Sequence, residues 1–337
     1  MTNRVETQAD HARVGKWVGA HGDSLDDAIN ALPTHLDHAI AFDAPELFED
    51  YVSWLAAAGR PRGVDTDRLR MALDALAPAD APSPSPVASN GLQRAREALD
   101  VAGCATTGPP DPNSALLDWR RRYLGFLLAG LRKDALDLLR RATQNGLSAD
   151  RIYLEILAPT LQEVGWLWQI GRVTVAQEHF CTAVTQFAMA SLYDHQAGID
   201  WNGRTVVVAG PGDERHEVGA RMVADLLERA GWNAVFLGAN MPANEVPQAL
   251  SQHRADLLAL SCTMTPHLLD LRAAIRAVRV EPRTAGIPVL VGGRPFALSP
   301  GLWQRIGADG TAADAAGAVR TAATLVIERS AGKRAAG

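Results

Sequence analysis

A chain of 337 residues with 47% hydrophobic and 21% charged side chains has enough apolar material for two or three packed domains, which excludes a disordered or fibrous protein. Its net charge of -5 is uneven, with 16 acidic against 9 basic side chains over 1–110 and 12 against 14 over 205–337. No basic face for a phosphate backbone is expected, which argues against a nucleic-acid partner. The start has no apolar stretch behind a basic flank, no later run of about 18 apolar residues follows, and Cys104, Cys181 and Cys262 lack disulfide or metal-knuckle spacing. Reduced thiols, a cytoplasmic location and no membrane partner are the expectation.

In chain order, Leu47, Phe48, Tyr51, Val52, Trp54 and Leu55 recur at three- and four-residue steps, as do Leu69, Leu73 and Leu76, so 1–77 reads as a small helical domain or arm. His11, His21, His35 and His38 within it read as solvated helix or loop residues. The Pro/Ser/Ala-rich stretch from Ala77 to Asn90 and the break at Gly108-Pro109-Pro110 make 78–113 a linker with a short helix. From Ser114 to about 200 the apolar period stays helical, through Leu116-Leu117, Leu138-Leu139, Ile156-Leu157 and Val184-Phe187, and predicts a four-helix bundle. Within it Thr174 and Gln177 form a capping box, so a new helix begins there with Glu178 and His179 in its first turns.

After Trp201 the pattern changes to short β-branched or leucine-rich runs separated by helical stretches: Thr205 to Ala209, Ala234 to Leu237, Leu257 to Ser261 and Ile287 to Val291. Strand alternating with helix over 201–330 predicts an α/β fold with a doubly wound parallel sheet. In such sheets ligands bind beyond the carboxyl ends of the strands. The first of those loops, Gly210 to Gly219, carries His216 just before a helix, where an imidazole is set to ligate a metal. Glu214, two residues earlier, is placed to accept the other ring N–H and fix the tautomer. Gly219 lets a bulky ring approach without meeting a Cβ. His253 and His267 are expected to lie elsewhere.

Ser261 follows Gly219 with 41 residues between, and Gly292-Gly293 follow Thr263 with 28 between. Each small residue alone is explained by turns and packing. The joint spacing resembles the cobalamin-binding signature Asp-x-His-x-x-Gly, Ser-x-Leu, Gly-Gly, with Glu214 in place of Asp and Thr263 in place of Leu. The resemblance covers about 201–330. It implies that His216 replaces the nucleotide base below the cobalt, and that Glu214, Arg215, Gly219, Ser261, Thr263, Gly292 and Gly293 bind the cofactor around it.

Trp168, followed ten residues later by Glu178-His179, reads by itself as a core aromatic of the bundle and a first-turn acid that complements the helix dipole. In a bundle directly before such a domain the pattern is similar to the cap of CarH-type photoreceptors. That family implies adenosylcobalamin, with Trp168 and Glu178 walling in the adenosyl group and His179 supporting the cap. It further implies light-broken cobalt–carbon bonding, a homo-oligomer with light-dependent assembly, and no enzymatic turnover. The amino-terminal helical domain is similar to that of photocobilins, which implies biliverdin as a second chromophore; Cys104 reads as a buried small residue rather than its attachment point. The alternative is a corrinoid carrier of a methyltransferase system, which needs an open upper face.

Overall fold

The computed structural model describes residues 25–76, 85–101, 116–193 and 200–335. His11, His21 and Cys104 lie outside them. Four helices, α1 (Leu25–Asn30), α2 (Leu32–Ala41), α3 (Pro45–Gly59) and α4 (Thr66–Ala75), precede a fifth, α5 (Pro86–Val101). The segment expected as a linker with a short helix therefore holds a sixteen-residue helix. Its Leu92, Ala95 and Leu99 are buried in one core with Phe48, Val52, Leu55, Leu69 and Leu73, because three- and four-residue spacing puts all three on one helical face.

This amino-terminal bundle is not a free arm. Phe42, Ala44 and Leu47, at the α2–α3 corner, belong to the core of the sheet domain. Each large apolar side chain so buried stabilises the junction by about 1.5–3 kcal/mol. Arg272 of the sheet domain lies over the Phe42 ring at 4.6 Å.

The middle bundle is formed by α6 (Leu117–Leu128), α7 (Arg132–Gln144), the continuous rod α8 (Ala149–Ile152) to α9 (Ala158–Gln169), and α10 (Val175–Tyr193). A widened π turn, Tyr153–Leu157, joins α8 to α9. Pro159 has no N–H to give to the preceding turn and its ring crowds the carbonyl four residues back, which the widened turn relieves. The capping box forms at the start of α10: Gln177 N–H donates to Thr174 Oγ1 at 3.2 Å and Thr174 N–H to Gln177 Oε1 at 3.0 Å. The bundle packs on the sheet domain through Met222 and Leu226, and the Tyr153 hydroxyl donates to Asp225 at 2.8 Å.

The sheet has five parallel strands, β1 (Thr205–Ala209), β2 (Asn233–Phe236), β3 (Leu257–Ser261), β4 (Val289–Gly292) and β5 (Gly310–Ala312), in the order β2-β1-β3-β4-β5. Between them run α11 (Val218–Arg229), α12 (Val246–Gln252), α13 (Leu268–Val280), α14 (Arg294–Leu298) and α15 (Leu302–Arg305), with α16 (Ala315–Ala335) last. Alternate strand residues feed two cores: Val207, Leu258, Leu260, Val289 and Val291 on one face, Val206, Val208, Leu257, Ala259 and Leu290 on the other. This is the doubly wound fold expected, with an added edge strand that escaped the sequence reading because Gly310-Thr311-Ala312 has no apolar run. β1 and β3 are neighbours while β2 lies outside β1, so the order reverses between them and their carboxyl ends frame a crevice. Among the described residues no helix is long and apolar enough to cross a membrane.

His35 and His38 correct the reading of them as solvated: they are 3% and 5% exposed. His35 stacks on Tyr51 with ring centroids 3.3 Å apart. Burial, reinforced by His38, lowers the His35 imidazole from 6.5 to about 3. Burial, then Arg272 and His267, lowers that of His38 to about 4. A histidine whose folded pKa is depressed stabilises the fold fully above its unfolded value near 6.5 and loses that contribution as pH falls toward the folded value. Thermal unfolding of the ligand-free chain is therefore expected to drop by several degrees between pH 6.5 and 4.5, and His38→Leu to flatten that slope. An equally steep slope in the variant would show that other groups control it.

Candidate functional site

The loop after β1 turns Glu214 inward and His216 outward. Glu214 is fully buried while the His216 side chain remains 52% exposed. Five donors converge on the carboxylate. Its Oε1 accepts from His216 Nδ1 at 2.6 Å and from the backbone N–H groups of His216 and Arg215 at 2.9 and 3.0 Å. Its Oε2 accepts from the N–H groups of Thr263 and Met264 at 2.7 and 3.3 Å. One side chain thus ties the β1 loop to the β3 loop at the reversal of strand order.

Burial alone would raise the Glu214 carboxyl, but hydrogen bonds from His216 and the backbone, with the imidazole of His267 close by, hold it well below the usual carboxylate range. It is an anion wherever the protein is folded at moderate pH. Burial alone would lower the His216 imidazole, and it is raised instead by the Glu214 hydrogen bond and charge, with a further contribution from Glu178. With Nδ1 engaged by a carboxylate, the ring presents Nε2 as its free nitrogen, which is the arrangement that increases ligand basicity. Among the described residues no group of three or more His, Cys, Asp or Glu side chains comes together to hold a metal.

Helix α10, which carries Glu178, reaches the loop. Glu178 and His179 sit in the first turn of α10, where His179 Nδ1 meets Glu178 Oε2 at 2.5 Å and Thr182 donates to Oε1 at 2.8 Å. One turn further, Gln186 donates to Glu217 of the β1 loop at 2.9 Å. Trp168, at the end of α9, is partly buried rather than a core residue of the bundle. Its ring lies 6.5 Å from that of Trp54 in the amino-terminal bundle.

The other predicted residues frame the crevice. Ser261 pairs with Gly292 in the β3–β4 register, and Cys262 N–H donates to Gly292 O at 3.0 Å. Gly293 has φ +114°, and a Cβ there would fall 1.9 Å from Cys262 O, so only glycine lets β4 turn this close to the β3 loop. A Cβ at Gly219 would meet nothing within 4 Å, so the start of α11 is open there. Arg215 contributes its backbone N–H, and its side chain is exposed. These residues fit a corrinoid: one oriented, half-exposed imidazole, and small residues at the carboxyl ends of the neighbouring strands β3 and β4.

His267 was expected elsewhere. It is 3% exposed, and its Nδ1 lies 3.3 Å from Glu214 Oε2 without a well-aligned hydrogen bond. Behind it stands His38, whose titration it affects. No spacing in the sequence marks His267, which reaches Glu214 only because the turn Thr265–His267 folds back over the end of β3.

Known families agree with this geometry. A family model described as B12 binding domain matches residues 204–320, and a second with the same description matches 119–193. The HTH-type transcriptional repressor CarH of Myxococcus xanthus is 28% identical over 207 residues, 61% of this chain and 67% of that protein. Dimethylamine corrinoid protein 1 of Methanosarcina mazei is 26% identical over 174 residues, 51% of this chain and 79% of its own. The solved monomethylamine corrinoid protein of Methanosarcina barkeri superposes with a TM-score of 0.55 at 21% identity, covering 62% of this chain and 98% of that one, a likeness of fold. With a helical B12-binding module at 119–193 followed by a sheet module at 204–320 that presents His216 on its first loop, the chain carries both modules of B12-binding proteins and is similar to the CarH-type repressors and to the corrinoid proteins.

Proposed function

We propose that this chain is a light sensor that binds adenosylcobalamin with His216 as the lower cobalt ligand and the cap over the upper face. The observation that carries the reading is the buried Glu214 carboxylate holding His216 Nδ1 at 2.6 Å beneath a cap whose Glu178 influences the same imidazole. When bound, the cofactor supplies a cobalt–carbon bond that visible light breaks. His216 offers Nε2 to the metal and Glu214 keeps the opposite nitrogen protonated. Gly292, Gly293, Ser261 and Thr263 would give room to the tail at the carboxyl ends of β3 and β4. Trp168 excludes water above the ring, and Glu178, steadied by Thr182 and His179, accepts a hydrogen bond from the upper group. Without that group Glu178 and the first turn of α10 would lose a contact, and the cap would repack against α11 or a second copy of the chain. No group-transfer chemistry is assigned to the protein, and its output is a change of conformation or assembly.

Biliverdin as a second chromophore belongs to the same reading. It is supported by the aromatic row His35, Tyr51, Trp54 and Trp168 that runs from the amino-terminal bundle to the cap.

The test is one preparation loaded with adenosylcobalamin in the dark and then illuminated. A lasting spectral change with a shift in elution volume is expected, and co-production with biliverdin is expected to add far-red absorbance. The likeness to dimethylamine corrinoid protein 1 favours a second reading, a corrinoid carrier for methyl transfer. A spectrum and elution volume unmoved by light, with ready uptake of a methyl group by the reduced protein, would replace the sensor by that carrier.

A further inference from the structure

The turn Arg60–Arg62 that follows α3 lies against the carboxyl end of α9, more than a hundred residues away. Arg62 Nη1 donates to Ala58 O at 2.6 Å and to Gln169 O at 3.1 Å, and Nη2 reaches Trp168 O at 3.4 Å. Ala58 closes α3, and Trp168 and Gln169 close α9. One guanidinium therefore sits between the negative ends of two helices and donates to three of their last carbonyls, of which Trp168 O also accepts from Gly171 N–H at 3.0 Å. The same group lies 6.0 Å from the centre of the Trp168 ring.

Three further contacts fix the same spot. The Trp54 ring lies 6.5 Å from Trp168 at an interplanar angle of 33°. Tyr51 stands behind Trp54 at 6.0 Å and 15°, and its hydroxyl is tied to Ala28 O at 2.9 Å. Pro61 fits under Gly171, where φ is +70° and a Cβ would come within 3.3 Å of the proline ring. The end of α9 is thus held at its backbone, its ring and its turn by residues of the amino-terminal bundle, while Trp168 stays only partly buried. Solvent alone would satisfy these carbonyls, so capping the helix does not require a second domain here.

We propose that Arg62 and Trp54 are positioning residues that hold Trp168 as a rigid wall and so set the discrimination among upper-face groups of a bound corrinoid. The proposal rests on the reading of Trp168 as part of the upper-face wall. A tryptophan free to rotate closes over a small group as readily as over a large one. One held in place is preorganised for the group that matches its position, and selectivity is the difference between the two affinities. Because coupling is reciprocal, the group above the ring also alters how firmly the amino-terminal bundle docks on the cap, which gives that bundle access to the state of the cofactor.

The experiment measures, in the dark and on the full chain, the Kd for adenosylcobalamin and for hydroxocobalamin, and uses their ratio. Trp168→Ala is the reference and is expected to reduce the preference by about tenfold or more. Arg62→Gln and Trp54→Leu are expected to reduce it by about three- to tenfold, with the hydroxocobalamin Kd within about twofold of wild type. Trp54→Phe keeps the stacking surface and is expected to restore the ratio. Arg62→Lys keeps the charge without the fork and is expected to fall between. If Arg62→Gln and Trp54→Leu weaken both cobalamins equally, their role is only structural and the proposal fails. If the ratio stays at the wild-type value in these two while Trp168→Ala collapses it, Trp168 forms the wall unaided and the proposal again fails. An unchanged ratio in Trp168→Ala would instead overturn the upper-face reading on which the proposal rests.

Discussion

His216→Ala is expected to reduce cobalamin retention by more than the roughly 10- to 100-fold lost when only the supporting partner of a metal ligand is removed, and to abolish the spectrum of an imidazole-ligated corrinoid. The imidazole is half exposed, and its Nδ1 supplies one of the five hydrogen bonds to the buried Glu214 carboxylate. Truncation is expected to cost about 1.5–3 kcal/mol through that hydrogen bond, and calorimetry of the ligand-free variant separates loss of ligand from loss of structure. Glu214 keeps its four backbone donors in the variant. Neighbouring imidazoles do not substitute, because His267 is enclosed behind Glu214 and His179 belongs to the cap. Absorbance after extensive dialysis measures the effect. A variant with the wild-type spectrum and affinity would remove His216 from the cobalt.

Glu214→Gln is expected to damage both the site and the fold. The two carboxylate oxygens accept five hydrogen bonds in a fully buried position. An amide of the same shape offers one oxygen, and its NH₂ faces either the backbone donors of Thr263 and Met264 or those of Arg215 and His216. Each buried donor left unsatisfied costs about 1–3 kcal/mol, and two or more are left on either choice. Unfolding temperature is expected to fall by about 5 °C or more, and cobalamin affinity by about 10- to 100-fold as His216 loses its fixed tautomer. Glu214→Asp retains the charge but is one methylene shorter, so it is expected to keep His216 Nδ1 or the β3 loop, not both, and to lose less. Calorimetry of the ligand-free protein beside cobalamin titration distinguishes the two effects. Equal stability of Glu214→Gln and wild type would mean that the loops are held by other contacts.

The features legible in the sequence are those encoded within a few residues. Glu214 and His216 are two positions apart on a glycine-bounded loop, and the loop geometry brings Nδ1 to the carboxylate. Thr174 and Gln177 cap α10 because three residues at a helix start are adjacent in space. Runs such as Thr205 to Ala209 and Leu257 to Ser261 state their buried strands through composition, and the long spacings Gly219 to Ser261 and Thr263 to Gly292 were informative only through a known family.

Tertiary structure alone decided the pairs that join segments far apart. His267 meets Glu214 from 53 positions away, His35 and His38 are buried because α2 is pressed between α3, α5 and the turn beside His267, and Arg62 closes a helix that begins 96 residues later. Which faces come together follows from many small burial terms summed over Phe42, Leu47, Leu92, Met222 and their neighbours, and no single short stretch holds that sum. Local chemistry therefore announced the Glu214–His216 pair, whereas the docking of the amino-terminal bundle on the middle bundle and on the β3 loop depended on how complete apolar surfaces matched.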